Sequence, residues 1–343
     1  MNRRFLYLLT TLILLFLITS CKKNDDPVSS TDQNQNTQNN FWKKLAVPSL
    51  VNSAAIDNSG AIWAATTDGV YKSSDNGSSW TKIITGLASV NSPLIKTSSN
   101  GNVFVYAGTS LYIYLNNSWS DISKNINTTL ITFKHLYTFS VDKSGNIYAA
   151  CLISEKLDAS TIGMDTPSFF KSSDAGKTWT KIKVQVAEGQ IKDVLIDAKG
   201  YFYVIEDGTI FHSTDAGKTF VKAASGIGSA NPFVLTSNST GIIFSGTGSG
   251  LLKSTDSGVS WSNANWTTYC VSAGINSKDI LFVGAINKCW KSTNNGTNWI
   301  EVSSGLSYSL SGFTDCKIQG FDSNGFAYAI LESVLYVSTS TTL

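Results

Sequence analysis

Four carboxylates in this 343-residue chain, Asp68, Glu206, Asp207 and Glu332, stand in short breaks between apolar runs, where side chains can meet a substrate. Two carboxyl groups facing each other about 6.5–9.5 Å apart would suit inverting glycoside hydrolysis, one as acid and one as base. The surrounding "TDG" and "EDG" are also what a tight hairpin uses, since Gly takes positive φ and an Asx side chain caps nearby amides. Three further acids, Glu155, Asp158 and Asp165, lie in "EKLDASTIGMDTPS", expected to be a 14-residue loop from Glu155 to Ser168. Trp266 and Tyr308 fall in polar connections, where a ring can stack on a sugar, fill a partner's pocket or wedge between packed sheets.

Other chemistries lack their residues. His135 and His212 are the only histidines, and no Ser-His-Asp set, Gly-rich phosphate loop or metal-ligand cluster stands out. No metal and no cofactor are expected. His212 occupies a position taken elsewhere by Lys72, Lys171, Lys253 and Lys291, so it reads as a solvated strand residue. Beyond Cys21, the cysteines Cys151, Cys270, Cys289 and Cys316 show no C-x-x-C spacing and read as buried strand thiols. Cys270 and Cys316 occupy similar places in neighbouring repeats and form a candidate disulfide. The only arginines are Arg3 and Arg4; without them Lys and Asp+Glu balance at 24 each, which does not favour nucleic acid as a partner.

The elements that position these residues repeat. A frame Ser-x-Asp-x-Gly-x-x-Trp reads Ser73, Asp75, Gly77, Trp80; Ser172, Asp174, Gly176, Trp179; and Ser254, Asp256, Gly258, Trp261. Two variants follow it: Ser213, Asp215, Gly217, Phe220 and Ser292, Asn294, Gly296, Trp299. Aligned on the closing aromatic, with Trp42 and Trp119 included, the intervals are 38, 39, 60, 41, 41 and 38 residues. A period near 40 with several short strands per unit predicts an all-β propeller of four-stranded antiparallel blades. The last unit supplies three strands and ends, whereas "FWKKLAV" (41–47) supplies a fourth strand with none before it. Seven blades over residues 41–343 follow, the seventh closed by the N-terminal strand so that no sheet edge is left open.

The frame resembles the Asp box, or BNR repeat, of sialidase-type propellers. The resemblance covers essentially all of residues 41–343, with blades 2 and 7 lacking the box. It implies that the boxes are structural and lie opposite the face that carries function. It does not imply sialidase activity, because that class grips its substrate carboxylate with three arginines and the chain has none after Arg4. Two readings remain: a non-catalytic module that binds a glycan or protein, and a glycoside hydrolase or lyase acting through loop-face carboxylates.

The N-terminus reads as an address. Arg3 and Arg4 precede an apolar run of 14 residues, Phe5 to Ile18, the length of a secretory h-region and short for a membrane span. "ITSC" then resembles a bacterial lipobox, which implies cleavage after residue 20 and lipidation of Cys21. Residues 22–40 are polar and read as a disordered tether reaching about 25 Å. The expectation is a lipid-anchored protein of the outer membrane or cell surface.

Overall fold

The computed structural model describes residues 40–88, 93–182, 191–309 and 312–342. The expected leader, Cys21 and the tether, apart from Asn40, lie outside the described residues.

The fold is a seven-bladed β-propeller, each blade a four-stranded antiparallel sheet. Blade 1 comprises Val51–Ile56, Ile62–Thr66, Gly69–Ser73 and Thr81–Lys82, and the others repeat this order outward from the axis. The first strands of all seven blades touch in sequence around the ring, and that of blade 7 returns to that of blade 1. Blade 7 is completed as expected: Trp42–Lys44 pairs antiparallel with Val334–Ser338, Trp42 opposite Ser338. The second strand of each blade is the hydrophobic spine; Ile62–Thr66, Phe202–Glu206, Ile243–Thr247, Leu281–Ala285 and Ala327–Leu331 are buried throughout. Being covered on both faces, these strands read as continuous apolar runs rather than alternating ones.

The repeated frame does two jobs. Within its turn, Ser73 Oγ donates to Asp75 Oδ1 at 2.8 Å, and Ser79 donates its N–H to Oδ1 at 2.9 Å and its hydroxyl to Oδ2 at 2.6 Å. The same bonds recur at Asp174, Asp215 and Asp256. Asn294 keeps the first two, from Ser292 and from the Asn298 N–H, but Asn298 has no hydroxyl to give the third. Between blades, four of the aligned tryptophans reach the carbonyl just past the fourth strand of the preceding blade, whereas Trp261 donates to Gly258 of its own frame. Trp119, Trp179, Trp299 and Trp42 donate Nε1–H to Ile83, Ile122, Ala264 and Val302 at 2.6–3.2 Å. The frame Gly sits at the same seam. At Gly176, φ is 82° and a Cβ would lie 2.5 Å from Ile122 Cδ1, so both conformation and space require glycine there.

Three sequence expectations are corrected. The insertion of blade 3 is mostly strand: Ile147–Glu155 pairs with Met164–Ser172 along its length, leaving only 156–163 as a tip. His212 is buried at 7 % exposure, because its strand face packs under the turn of blade 5, where a Cβ on Gly258 would meet it at 3.1 Å. Burial pushes its pKa down, and Nδ1 has no hydrogen-bond partner. Cys270 and Cys316 are both free thiols. Equivalent positions one blade apart put Cys270 in the core between blades 5 and 6 and Cys316 in the core between blades 6 and 7.

Candidate functional site

The loops between second and third strands and the connections between blades share one face of the ring, opposite the frame turns. The four carboxylates of the sequence reading lie there on three separate hairpins, in blades 1, 4 and 7. Asp68 accepts Thr66 Oγ1 at 2.8 Å, Tyr71 OH at 3.1 Å and Lys82 Nζ at 3.0 Å. The Thr66 hydroxyl, then Lys82, Ser49 and Tyr71, hold its carboxyl far below the usual range. It is a turn staple, ionised at neutral pH, and a poor proton shuttle. Glu206 ends a core strand at 2 % exposure, and Asp207 and Gly208 follow with φ of 43° and 74°, the backbone of a type I′ hairpin turn. Glu332 accepts both the hydroxyl of Ser309, at 2.7 Å, and its N–H, at 2.9 Å, which lower its pKa.

The acids of blade 3 are also dispersed. Glu155 pairs with Lys181 at the end of its strand. Asp158 caps the tip through the Ser160 N–H at 2.8 Å, and Asp165 lies on a strand opposite Ser154. Trp266 does not face solvent: it is 7 % exposed and packs edge-on and tilted against Trp290 and Trp299, the wedge between blades 5 and 6. Tyr308 is 45 % exposed in the connection to blade 7.

What the fold does bring together was not anticipated from sequence. The connection from blade 6 to blade 7 carries Phe313 at 90 % exposure. The loop beneath the ring is clamped by Asn287: its Nδ2–H donates to Gly312 O at 3.0 Å, its Oδ1 accepts Thr314 N–H at 3.0 Å and its N–H donates to Thr314 O at 2.8 Å. Asn287 meets this geometry because it takes the left-handed turn of its own hairpin, with φ of 56°. Glu332 secures the same connection further back, through Ser309. Phe313 thus stands over a cleft of about 330 Å³ walled by Asn52, Asp315, Lys317 and Glu332, with Val51 and Ile330 at its base. Of the four carboxylates first considered, the cleft contains Glu332 alone. Apolar surface continues toward blade 5: Ile286 bridges to Asp315, and Tyr269, whose pKa is raised by burial and then by the charge of Asp315, stacks edge-on with Phe233 at 5.8 Å. A larger hollow of about 880 Å³ lies along the closure seam, bordered by Lys43, Lys44 and Glu301 on outer strands. It follows from strand ends meeting and presents no comparable exposed ring.

Nearer the axis, charged and polar side chains tie inner strands of neighbouring blades. Lys96 Nζ donates to Phe139 O, Asp193 Oδ2 accepts Leu235 N–H at 2.8 Å, and Gln319 Oε1 accepts Ala54 N–H at 2.8 Å. Burial pushes the Lys96 ammonium down and the Asp193 carboxyl up, and each charge opposes the other's shift. Among the described residues, no group of three His, Cys, Asp or Glu is placed to hold a metal ion, and no helix is long and apolar enough to cross a membrane.

No family model matches the sequence, and no curated protein matches it. Solved propellers do. The extracellular domain of a hybrid two-component system from B. thetaiotaomicron superposes with a TM-score of 0.65 at 15 % identity, over 88 % of this chain and 42 % of that one. YCF48 from Cyanidioschyzon merolae gives 0.62 at 12 % identity, over 87 % and 98 %. Virginiamycin B lyase from Staphylococcus aureus gives 0.62 at 10 % identity, over 87 % and 99 %. The chain therefore spans about two fifths of the two-component extracellular domain and nearly all of the other two. At these identities the likeness establishes the seven-bladed propeller and nothing finer.

Proposed function

We propose that the chain is a lipoprotein anchored through Cys21 at the outer membrane or cell surface, with Asp boxes joining its blades, and that the loop face over blades 5–7 binds a glycan without cleaving it. The observation that carries this reading is Phe313, a ring held 90 % exposed by a purpose-built clamp beside Asn52, Asp315, Lys317 and Glu332. A flat apolar ring covers the CH face of a pyranose while carboxylate, amide and ammonium groups bond its hydroxyls, the mixture typical of oriented small-ligand recognition. Binding is preferred over hydrolysis because Asp68 and Glu332 are each held ionised by hydrogen bonds, from Thr66 and from Ser309, and stand in different hairpins. The membrane partner would be met through the lipid, and the extracellular propellers among the structural neighbours support a ligand-facing role.

The test is retention of the protein on a panel of bacterial, host and plant polysaccharides, followed by calorimetry with the one retained. Covering a Phe ring is worth about 1.5–3 kcal/mol, so Phe313→Ala should weaken binding about tenfold or more while leaving the melting temperature unchanged. Full affinity in Phe313→Ala would remove the site from the argument, and appearance of shortened product would replace binding with catalysis.

A further inference from the structure

Among the described residues, the four free cysteines are all fully buried, yet they are not equivalent. Cys289 lies on the third strand of blade 6, directly opposite Gly284 on the second. Side chains directly opposite in an antiparallel pair project from the same face, with Cβ atoms about 4.5–5.5 Å apart. Where the side chain of Gly284 would stand, the backbone of Cys316 passes instead: a Cβ there would lie 1.8 Å from Cys316 O and 2.8 Å from its carbonyl carbon. Cys316 is fixed in that position by its N–H donating to Ala285 O at 3.0 Å and by Ser272 Oγ donating to Cys316 O at 3.0 Å. The missing side chain of Gly284 thus lets Cys316 descend beside Cys289, and both residues lie fully buried in the same core between blades 6 and 7. One blade earlier the same architecture holds Cys270, with Gly246 beneath it, but there the strand neighbour of the glycine is Leu251.

We infer that Cys289 and Cys316 are a modification site, oxidised to an intramolecular disulfide as the chain folds outside the cytoplasm, a statement that rests on the envelope location proposed above. The oxidant is a disulfide-bearing reagent or oxidoreductase. One cysteine thiolate attacks its S–S bond, forming a mixed disulfide and releasing a first thiol; the second cysteine then attacks the mixed bond, forming Cys289–Cys316 and releasing a second thiol. The two cysteine sulfurs lose two electrons to the oxidant, and their two protons pass to the departing thiolates. Because both thiols are buried in the closed ring, exchange takes place before blade 6 and blade 7 pack. The bond bears on the candidate site: Cys316 lies between Asp315 and Lys317, so the loop carrying Phe313 would be tied to the sheet of blade 6.

Two measurements test this with the full-length chain. In the first, denatured and reduced protein is refolded with glutathione disulfide, remaining thiols are alkylated, and peptides are mapped without reduction. A linked Cys289–Cys316 peptide with Cys151 and Cys270 alkylated is expected; alkylation of both Cys289 and Cys316, or a Cys270–Cys316 link, overturns the pairing. Cys289→Ser keeps the test sharp, since it should leave Cys316 alkylated and create no new bond. In the second, protein is drawn from cells whose thiols were blocked at lysis. The linked peptide there supports pairing and location together, whereas free thiols in cells alongside the bond on refolding would sink the envelope location and leave the pairing intact.

Discussion

Replacing Trp42 by Ala should open the ring at its seam. The indole is 1 % exposed, lies in the core between blades 6 and 7, meets Phe41 edge-on at 5.2 Å and donates Nε1–H to Val302 O at 2.6 Å. Truncating a buried Trp costs about 3–5 kcal/mol, a range that already includes much of the lost hydrogen bond, so about 4 kcal/mol is expected. A propeller of roughly 300 residues has an unfolding entropy near 0.6 kcal/mol/K, which converts this to a fall of about 7 °C in melting temperature. Trp119→Ala supplies the calibration, because Trp119 is buried and makes the same inter-blade bond, to Ile83, in mid-chain. Thermal melts followed by intrinsic fluorescence and calorimetry would read both variants. The mid-chain change should destabilise comparably, while Trp42→Ala should in addition expose the Val334–Ser338 edge and aggregate on heating. A Trp42→Ala protein melting within about 2 °C of the parent, beside a clearly weakened Trp119→Ala, would refute closure through this strand.

Gly176→Ala should lower the melting temperature by about 5 °C, combining positive-φ strain with a 2.5 Å approach to Ile122, whereas Gly200→Ala, at φ of 79° with nothing within 4 Å, should lower it by about 2 °C. Hydrogen bonds from Ser79 and Thr178 hold Asp75 and Asp174 at about 2, below their ordinary 3.8, so their contribution is complete above pH ~4 and is lost as pH falls toward 2. Melting temperature measured from pH 7 to 2 should stay level and then drop in that window. Asn294→Asp should steepen the drop by adding a fifth titrating frame, and a flat acid limb would contradict the assignment. Cys21→Ala should abolish incorporation of labelled fatty acid and release the protein from membranes; unchanged partitioning would remove the anchor.

The ring was readable because five of the seven blades solve the same packing problem with the same frame, Phe220 and Asn294 being its variants. Turn chemistry at Asp75 or Gly176 is local, so sequence spacing exposes it directly. What that spacing concealed is the reach of the frame. Trp179 bonds the carbonyl of Ile122 and Gly176 packs on the same residue, contacts made with a different blade and invisible within the repeat. The repeat also misled where two positions were judged by equivalence. Cys270 and Cys316 correspond, and for that reason each belongs to its own seam; the cysteine that shares a core with Cys316 is Cys289, which has no cysteine counterpart in blade 5. His212 looked solvated by analogy with four lysines, but burial at its position depends on the next blade's turn.

The loop face was the least legible part for a related reason. Asp68, Glu206, Asp207 and Glu332 attracted attention as acids, yet Asp207 lies in a hairpin turn, Asp68 is tied to Thr66 and Lys82, and Glu332 to Ser309. Phe313 carried no pattern at all, being an aromatic in a connection that lies outside the repeated frame. Its prominence comes from the hairpin of blade 6, where the left-handed Asn287 supplies three bonds to the Gly312–Thr314 backbone. A ring fixed out of the core, above Asp315, Lys317 and Glu332, gains a stabilising contact only when something lies across it, and that asymmetry is the physical ground for the proposed glycan site in this sector of the propeller.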